Sequence, residues 1–186
     1  MKDLNEKVRK IIKKECTDWD WKYHMTPVLK YSRILAKKLG ADEELVELGA
    51  LLHDIGRIRH GPDNHHMTGI PEAEKILNKV DCPQKTISEI KHVVESHMGS
   101  GDILPKTLEA KIIMNADAMA HFDVIPAFMQ VALRKFDGDL EKSFEWLDEK
   151  VERDWNNKLT LPEAKEMMRE KYKAIRLLFD AMKEYI

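Results

Sequence analysis

Histidines are concentrated in one short part of this chain. The segment LLHDIGRIRHGPDNHH, residues 51–66, holds four of the eight histidines and places His53 directly before Asp54. Imidazole and carboxylate are the side-chain types that bind divalent ions such as Mn, Fe, Co, Ni and Zn, and one ion usually takes three or four of them. The pattern therefore indicates that this segment supplies ligands to a metal site.

Two residues outside this segment complete the candidate set. His24 lies just before a helical pattern, and Asp117 lies within the apolar helical sequence TLEAKIIMNADAMAHFD. A carboxylate among apolar residues costs free energy unless a cation meets it. The alanines that flank Asp117 would also let its helix approach neighbouring helices closely. We therefore expect a metal ion to meet Asp117.

The elements that must position these residues are predicted to be helices. Apolar residues recur at helical spacing through most of the first 40 residues, and Thr26 followed by Pro27 is typical of a helix start. Asp42 is the expected N-cap of a third helix, which runs into the His-Asp pair and stops at Gly56. The His-Asp pair is thus predicted in the last turn of a helix.

Strand-type alternation is nearly absent from the rest of the chain. Gly, Pro, Asp and Asn predict a loop at residues 58–69, and GSGDILPKT, residues 99–107, predicts a second one. The remaining helical patterns cover residues 71–80, 83–98, 107–121, 125–136, 140–155 and 162 to the end. We therefore predict an all-α, single-domain helical bundle over residues 1–186, with a motif-bearing core at about 20–123 and C-terminal helices, 124–186, packed on it.

Composition argues against several classes of protein. Lys plus Arg number 31 and Asp plus Glu 33, for a formal net charge of -2, which disfavours a general binder of nucleic acid or of membrane surfaces. Cys16 and Cys82 cannot form a disulfide framework, which is typical of a reduced setting. The charged amino-terminal segment lacks the apolar stretch of a secretion signal, and no stretch approaches the roughly 20 apolar residues of a membrane span. We expect a cytoplasmic protein without a membrane segment.

The ordered set of candidate ligands resembles that of the HD-domain metal-dependent phosphohydrolase superfamily. The resemblance covers roughly residues 20–123, and its most specific parts are LLHDIG in the middle and ADA at the end. Its residues are, in order, His24, His53 and Asp54, His65 four residues before Gly69, His97 in VVESH, and Asp117 in NADAMA. The resemblance implies an all-α bundle with a divalent ion in a central cleft.

The resemblance also implies how the ligands divide. The first ion would be held by His24, His53, Asp54 and Asp117. In members of the superfamily with two ions, Asp54 would bridge them, and His65 and His97 would hold the second. The cofactor is then a divalent metal ion, one or two per chain, and Mn, Fe, Co, Ni, Zn and Mg all remain open.

The reaction that the resemblance implies is hydrolysis of a phosphate ester. A bound ion lowers the pKa of a coordinated water towards neutrality, and the resulting hydroxide can attack phosphorus while the ions neutralise charge on the phosphoryl oxygens. Asp54 and Arg57 would be the catalytic residues. Arg57, Lys111 and His121 would bind the substrate, with Lys91 as a further candidate, because basic groups make charge-assisted hydrogen bonds to phosphate oxygens.

Several assignments have a structural alternative. The His-Asp pair is also typical of a hydrogen-bonded cap at a helix end, and Arg57 of a partner for the helix dipole. His65 and His66 differ by one residue of register in the predicted loop, and we prefer His65 as the ligand. His92 and His97 lie five residues apart on one helix, so they point to different faces and we expect only one in the cleft. We prefer His97.

The sequence narrows the range of substrate classes but does not identify one substrate. His97 is followed by MGSGDILP, which lacks the adjacent His pair and the Gly-Tyr-Pro tract of the cyclic-dinucleotide phosphodiesterase branch. We expect a small phosphorylated substrate, with a nucleotide as one candidate, no general nucleic-acid binding and no membrane partner, and the sequence leaves a homo-oligomer open. The alternative functions are a non-catalytic module that binds a metal or a nucleotide, and a di-iron oxygenase on the same scaffold.

Overall fold

Helices form every regular element within residues 2–99 and 103–185, which are the residues that the structure, a computed structural model, describes. The α-helices are α1 (Lys2–Glu15), α2 (Asp18–Asp20), α3 (Thr26–Leu39), α4 (Glu43–Leu52), α5 (Ile55–His60), α6 (His65–Lys79), α7 (Gln84–Ser96), α8 (Leu108–Asp123), α9 (Ile125–Lys135), α10 (Leu140–Arg153) and α11 (Pro162–Met182). Two π-helical turns, Trp21–Met25 and Asp154–Lys158, follow α2 and α10. The predicted all-α class is confirmed, and the assignment of residues 1–186 to one domain stays a prediction. Residues 100–102 of the expected loop at 99–107 lie outside the described residues.

The start of α3 differs from the sequence prediction. Thr26 is not an N-cap, because the chain is already helical from Asp18 and enters α3 through the first π turn. Pro27 has no N–H and cannot donate to the preceding turn. The wider π turn instead closes with a bond from the Thr26 N–H to the Trp21 carbonyl, and the Thr26 hydroxyl donates to the same carbonyl at 2.8 Å. This turn is the element that positions His24.

The third predicted helix agrees with the structure at its start and differs at its end. The Asp42 side chain accepts two backbone N–H bonds in the first turn of α4, each at 3.0 Å, so the predicted N-cap is confirmed. The His-Asp pair follows α4 as a turn, and Gly56 lies inside α5 rather than at a helix end. A Cβ atom at Gly56 would lie 2.0 Å from the His65 carbonyl oxygen. The glycine therefore lets α5 and α6 touch backbone to backbone.

The loop predicted at residues 58–69 is much shorter in the structure. Only residues 61–64 lie outside helices, because α5 continues past the start of the predicted loop and α6 begins at His65. Pro71 lies inside α6, where it removes one backbone bond. The apolar face of α6 packs against α5 and α7, and this burial outweighs the local composition. His65 consequently lies in the first turn of a helix.

The helix α8 lies at the centre of the fold. It contacts α3, α4, α7 and α11. Every residue from 112 to 122 is buried, and the alanines of NADAMA are fully enclosed. Because these side chains are small, α3 can lie close against α8, as the sequence predicted. Asp117 is therefore held among helices rather than on the surface.

The C-terminal helices pack on the part of the fold that contains the histidines. α9 and α10 contact each other, and α11 lies on α8. Phe144 of α10 and Phe179 of α11 belong to the same hydrophobic cluster as the cores of α3, α4 and α8, and their ring centroids lie 5.0 Å apart. Within the described ranges, none of the helices combines the length and the apolar composition that crossing a bilayer requires.

Candidate metal centre

Three ligand-type side chains from separate elements meet at the centre of the fold. His24 comes from the first π turn, His53 from the turn after α4, and Asp117 from the middle of α8. The Nε2 atoms of His24 and His53 lie 3.1 Å apart. The Oδ1 atom of Asp117 lies 3.6 Å from His24 Nε2 and 3.9 Å from His53 Nε2. All three side chains are buried and form the first ligand group.

Asp54 joins this group to a second one. Its Oδ2 atom faces the first group and lies 3.0 Å from His24 Nε2. Its Oδ1 atom lies 3.4 Å from His65 Nε2 and 3.5 Å from His97 Nε2. These two histidines form the second ligand group with Asp54, and their Nε2 atoms lie 3.2 Å apart. A carboxylate placed in this way can bridge two ions.

Backbone hydrogen bonds fix the orientation of three of these imidazoles. The Nδ1 atoms of His53, His65 and His97 lie 2.7 to 2.8 Å from the carbonyl oxygen three residues earlier in each case. A carbonyl can only accept, so each Nδ1 holds the proton. In the neutral form of such a ring the lone pair is on Nε2, and all three Nε2 atoms face the centre, which is the arrangement expected of a metal-binding histidine.

The two groups fit divalent cations. In the second group, two Nε2 atoms and one carboxylate oxygen face one another at 3.2 to 3.5 Å. All three are acceptors when the rings are neutral with the proton on Nδ1. Buried acceptors that face one another are unfavourable unless a positive charge lies among them. Imidazole and carboxylate together suit several first-row divalent ions, so the donor set is consistent with such an ion and does not select one.

Burial sets the protonation state of the cluster. His53 is fully buried, and desolvation lowers the pKa of its imidazole to about 3. Desolvation also lowers the pKa of His65. Burial acts to raise the pKa of Asp54, but opposing interactions, with the positive charge of Arg57 among them, outweigh it and hold that pKa well below its ordinary value. At neutral pH His53 and His65 are neutral and Asp54 is ionised, which are the forms that bind metal.

Arg57 is held between two carboxylates. Its Nε donates to Asp54 Oδ2 at 2.6 Å, and its Nη1 lies 3.0 Å from Asp20 Oδ1. Both contacts are charge-assisted hydrogen bonds, which are stronger than neutral ones. The structure thus places Arg57 in the site, on the carboxylate that joins the two ligand groups.

The C-terminal helices bring four more charged residues to the site, Lys150, Arg153, Asp154 and Lys158, and the sequence did not single them out. Lys158 Nζ donates to Asp117 Oδ2. Asp154 Oδ2 accepts from His121 Nδ1 at 2.7 Å and lies 3.4 Å from Lys150 Nζ. The stretch DWNNK looks like an ordinary solvated surface by composition. It becomes internal only when the second π turn packs on α8, and no local pattern indicates that contact.

His121 connects these residues to the first ligand group. Its Nε2 lies 3.3 Å from Asp117 Oδ1, since the two residues are one turn apart on α8. Its ring stacks on that of His24, with centroids 5.8 Å apart. His121 also lines the cavity described next, where the sequence expected it.

A cavity of about 500 Å³ opens onto both ligand groups, a size that suits a small ligand. Trp19, Phe128 and Val131 give it an apolar wall. The Trp19 indole N–H donates to Gln130 at 3.1 Å, which ties α2 to α9 beside this wall. The charged residues that line the cavity are Asp54, Arg57, Asp117, Lys150, Arg153, Asp154 and Lys158.

Two lysines that the sequence suggested for substrate binding lie elsewhere. Lys111 is exposed and is not among the described residues that line the cavity. Lys111 precedes Asp117 by six positions, which is about 1.7 helical turns, so the two side chains point in different directions. Lys91 pairs with Glu74 at 2.9 Å on the surface formed by α6 and α7. Neither lysine reaches the cavity, so the interpretation of Lys111 as a substrate-binding residue is corrected here.

The structure also shows which histidine of each neighbouring pair faces the ligand groups, a choice that the sequence left open. His65 faces Asp54, whereas His66 does not belong to either ligand group. His97 faces Asp54, whereas the Nδ1 of His92 lies 2.8 Å from Glu95 and its Nε2 accepts the Lys106 N–H. His92 therefore fixes the chain after α7.

Comparison with known proteins matches the part of the chain that contains both ligand groups. A sequence profile of the HD domain matches residues 21–121. An uncharacterized protein of Methanocaldococcus jannaschii is 33% identical over 158 residues, which cover 74% of this chain and 87% of that protein.

Two named enzymes match over shorter stretches. A tRNA (cytidine(56)-2'-O)-methyltransferase of Picrophilus torridus is 31% identical over 116 residues, or 55% of this chain and 32% of the enzyme. A ribonuclease Y of Desulforudis audaxviator is 32% identical over 99 residues, or 52% of this chain and 17% of the enzyme. This chain spans a third or less of the length of either enzyme.

A solved structure shares the fold over nearly its whole length. YpgQ of Bacillus subtilis, determined in complex with ADP, matches with a TM-score of 0.73 at 19% identity. The match covers 98% of this chain and 95% of YpgQ. The C-terminal helices are thus part of the shared fold, together with the helices that hold the ligand groups.

Proposed function

Because the chain belongs to the HD domain family, we propose that it is a metal-dependent phosphohydrolase that cleaves a phosphate ester of a small substrate, with a nucleotide as the first class to test. The observation that carries this proposal is the pair of ligand groups joined by Asp54 in the lining of a cavity. The family match and the ribonuclease Y relative support a metal-dependent hydrolase. The phosphate-ester substrate is the finer part of the proposal.

The six ligand-type residues would bind two ions. His24, His53 and Asp117 would hold one ion, His65 and His97 would hold a second, and Asp54 would contact both. When bound there, divalent ions supply an activated water and neutralise charge on phosphoryl oxygens. The carbonyl bonds to Nδ1 keep three imidazoles oriented, and burial lowers the pKa of His53 and His65, so these two rings need release no proton at neutral pH to take up an ion.

Other residues of the cavity would orient a metal ligand or contact the substrate. Arg57 keeps Asp54 in one orientation by its hydrogen bond at 2.6 Å. Trp19 and Phe128 offer aromatic faces on which a nucleotide base can stack. The ADP bound to YpgQ, whose fold this chain shares, supports the choice of nucleotides as the first substrates to test.

The test is a screen for phosphate release. The protein would be assayed with nucleoside mono-, di- and triphosphates and with simple phosphate monoesters, in the presence of added Mn, Co, Ni, Zn or Mg. We expect metal-stimulated turnover of at least one class, its loss in Asp54→Ala and its retention in Asp123→Ala, which removes a carboxylate from the end of α8 outside the cavity. Turnover in Asp54→Ala equal to that of the wild type would refute the proposal.

One observation favours a second candidate, a non-catalytic module that binds a nucleotide. Arg57 and Lys158 already neutralise the carboxylates of Asp54 and Asp117, so the cluster has partners without an ion. The methyltransferase relative is named for a reaction other than hydrolysis. Nucleotide binding without turnover, unchanged when the metal is removed, would favour the module. Iron content and oxygen consumption in the same preparations would test the di-iron oxygenase alternative.

A further inference from the structure

The cavity has more positive than negative side chains. Among the described residues that line it, four cationic side chains face three carboxylates. The cations are Arg57, Lys150, Arg153 and Lys158, and the carboxylates are Asp54, Asp117 and Asp154. Asp20, which pairs with Arg57 from outside the lining, balances the fourth cation, so the excess comes from bound ions, each of which would add two positive charges. A partly buried excess of this kind is unfavourable unless an anion enters the cavity.

Arg153 is exposed, and the other three cations differ in how many donors they have left for such an anion. Arg57 is engaged by Asp54 and Asp20, and one of these is a proposed metal ligand. Lys158 uses one of its three ammonium protons on Asp117. Lys150 lies 3.4 Å from Asp154, longer than a strong charge-assisted bond, because His121 is the closer partner of that carboxylate. The two lysines therefore retain free donors.

The helix geometry places these two lysines together. Lys150, Asp154 and Lys158 follow one another at intervals of four residues through the end of α10 and the second π turn. Side chains at this spacing share one face of a helix, and all three line the cavity. Asp154 contacts Lys150, and Lys158 contacts Asp117 of the first ligand group.

We propose that Lys150 and Lys158 form the phosphate-binding subsite of this cavity, and that Arg57 is a positioning residue that holds Asp54. Recognition of the bound anion as a substrate phosphate rests on the proposed function, whereas anion binding itself does not. Both lysines lie outside residues 21–121, the part matched by the HD profile. The C-terminal helices thus complete the site by supplying two positive charges for an anion, in addition to the residues of the matched part.

The test measures binding rather than turnover. Lys150→Met and Lys158→Met remove one charge each and keep an unbranched apolar side chain. The matched control is Lys171→Met, because Lys171 of α11 donates to Asp123 of α8 outside the cavity. Inorganic phosphate would be titrated calorimetrically into each protein after loading with Mn²⁺. We expect each cavity variant to weaken phosphate binding about tenfold or more, the loss expected for one bond to a charged group, and the control to change it less than about twofold.

Lys150 gives the cleaner result, since it does not touch a proposed metal ligand. Lys150→Met should leave the Mn²⁺ affinity unchanged, and Lys158→Arg, which keeps the charge, should recover most of the phosphate affinity lost in Lys158→Met. Equal phosphate affinity in the wild type and Lys150→Met would overturn the proposal. Failure of the loaded wild type to bind phosphate would overturn it as well.

The outcomes also separate this inference from the proposed function. Phosphate binding that depends on Lys150, in a protein that hydrolyses no ester, would support the subsite and refute the phosphohydrolase. Metal-dependent hydrolysis with phosphate binding that is independent of both lysines would support the phosphohydrolase and refute the subsite.

Discussion

Replacement of Gly56 by alanine tests how the fold positions the second ligand group. A Cβ atom at Gly56 would lie 2.0 Å from the His65 carbonyl oxygen and 2.6 Å from the Gly69 nitrogen. Both atoms belong to the backbone of α6, so no rotation of a side chain relieves the contact. Nonbonded heavy atoms settle at about 3.5 Å or more, so α6 must move by more than about 1 Å.

This movement has a cost that can be estimated. Overpacking of a buried contact costs about 1–3 kcal/mol, and a backbone contact belongs at the upper end. For a chain of this size, 1 kcal/mol lowers Tm by about 2–4 °C, so Gly56→Ala should lower Tm by about 6–12 °C. His65 moves with α6, and its Nε2 leaves the position 3.4 Å from Asp54 Oδ1. We therefore expect the variant to lose the second ion and to keep the first.

The assay combines calorimetry with metal analysis after equilibration with Mn²⁺. Gly40→Ala is the control, because Gly40 has a φ of 70° and nothing within 4 Å of the added Cβ. It should cost about 1–2 kcal/mol through backbone strain alone and leave the metal content unchanged. A wild-type Tm together with a wild-type metal content in Gly56→Ala would refute the reasoning about α5 and α6.

Three further predictions concern ligands, pH and packing. His97→Ala should weaken metal binding at the second group by about tenfold or more while His92→Ala, on the same helix, leaves it unchanged; equal Mn²⁺ titrations for the two variants would contradict this. For the metal-free protein, the free energy of unfolding should fall as the pH drops from 6.5 towards 3, because the unfolded chain protonates His53 at its ordinary pKa of 6.5 and burial lowers the folded-state pKa to about 3. Urea titrations at stepped pH measure this, and a smaller pH dependence in His53→Ala than in the wild type is the expected control. Tyr31→Phe removes a hydroxyl that donates to Asp123 Oδ2 at 2.6 Å, so it should lower the free energy of unfolding by about 1.5–3 kcal/mol without changing metal content, and an unchanged denaturation midpoint would count against it.

Three of the candidate ligands carry a local signal in the sequence. His53 and Asp54 follow an apolar helix with a recognisable N-cap, and Asp117 is a single carboxylate in an apolar helix. Each of these signals depends on residues close in the chain. The resemblance to the HD-domain superfamily then placed His24, His65 and His97 in the same order as the structure assembles them.

The remaining features depend on contacts between distant elements. The predicted loop at 58–69 became largely helical, since the packing of α6 between α5 and α7 outweighs Gly, Pro and Asn in the local sequence. Lys111 was suggested by charge alone, and helix rotation points it away from the cavity. Lys150 and Lys158 carry no local signal, because their role follows from the packing of the second π turn on α8, more than 30 residues after Asp117.

The most direct test of the metal centre is the metal content of the purified protein. Wild type and Asp54→Ala would be equilibrated with Mn²⁺, freed of excess ion and measured by inductively coupled plasma mass spectrometry. We predict one or two ions per wild-type chain and a clear loss in Asp54→Ala, because Asp54 contacts both ligand groups. Absence of bound metal from the wild type, or equal metal content in the two proteins, would contradict the assignment of these residues as metal ligands.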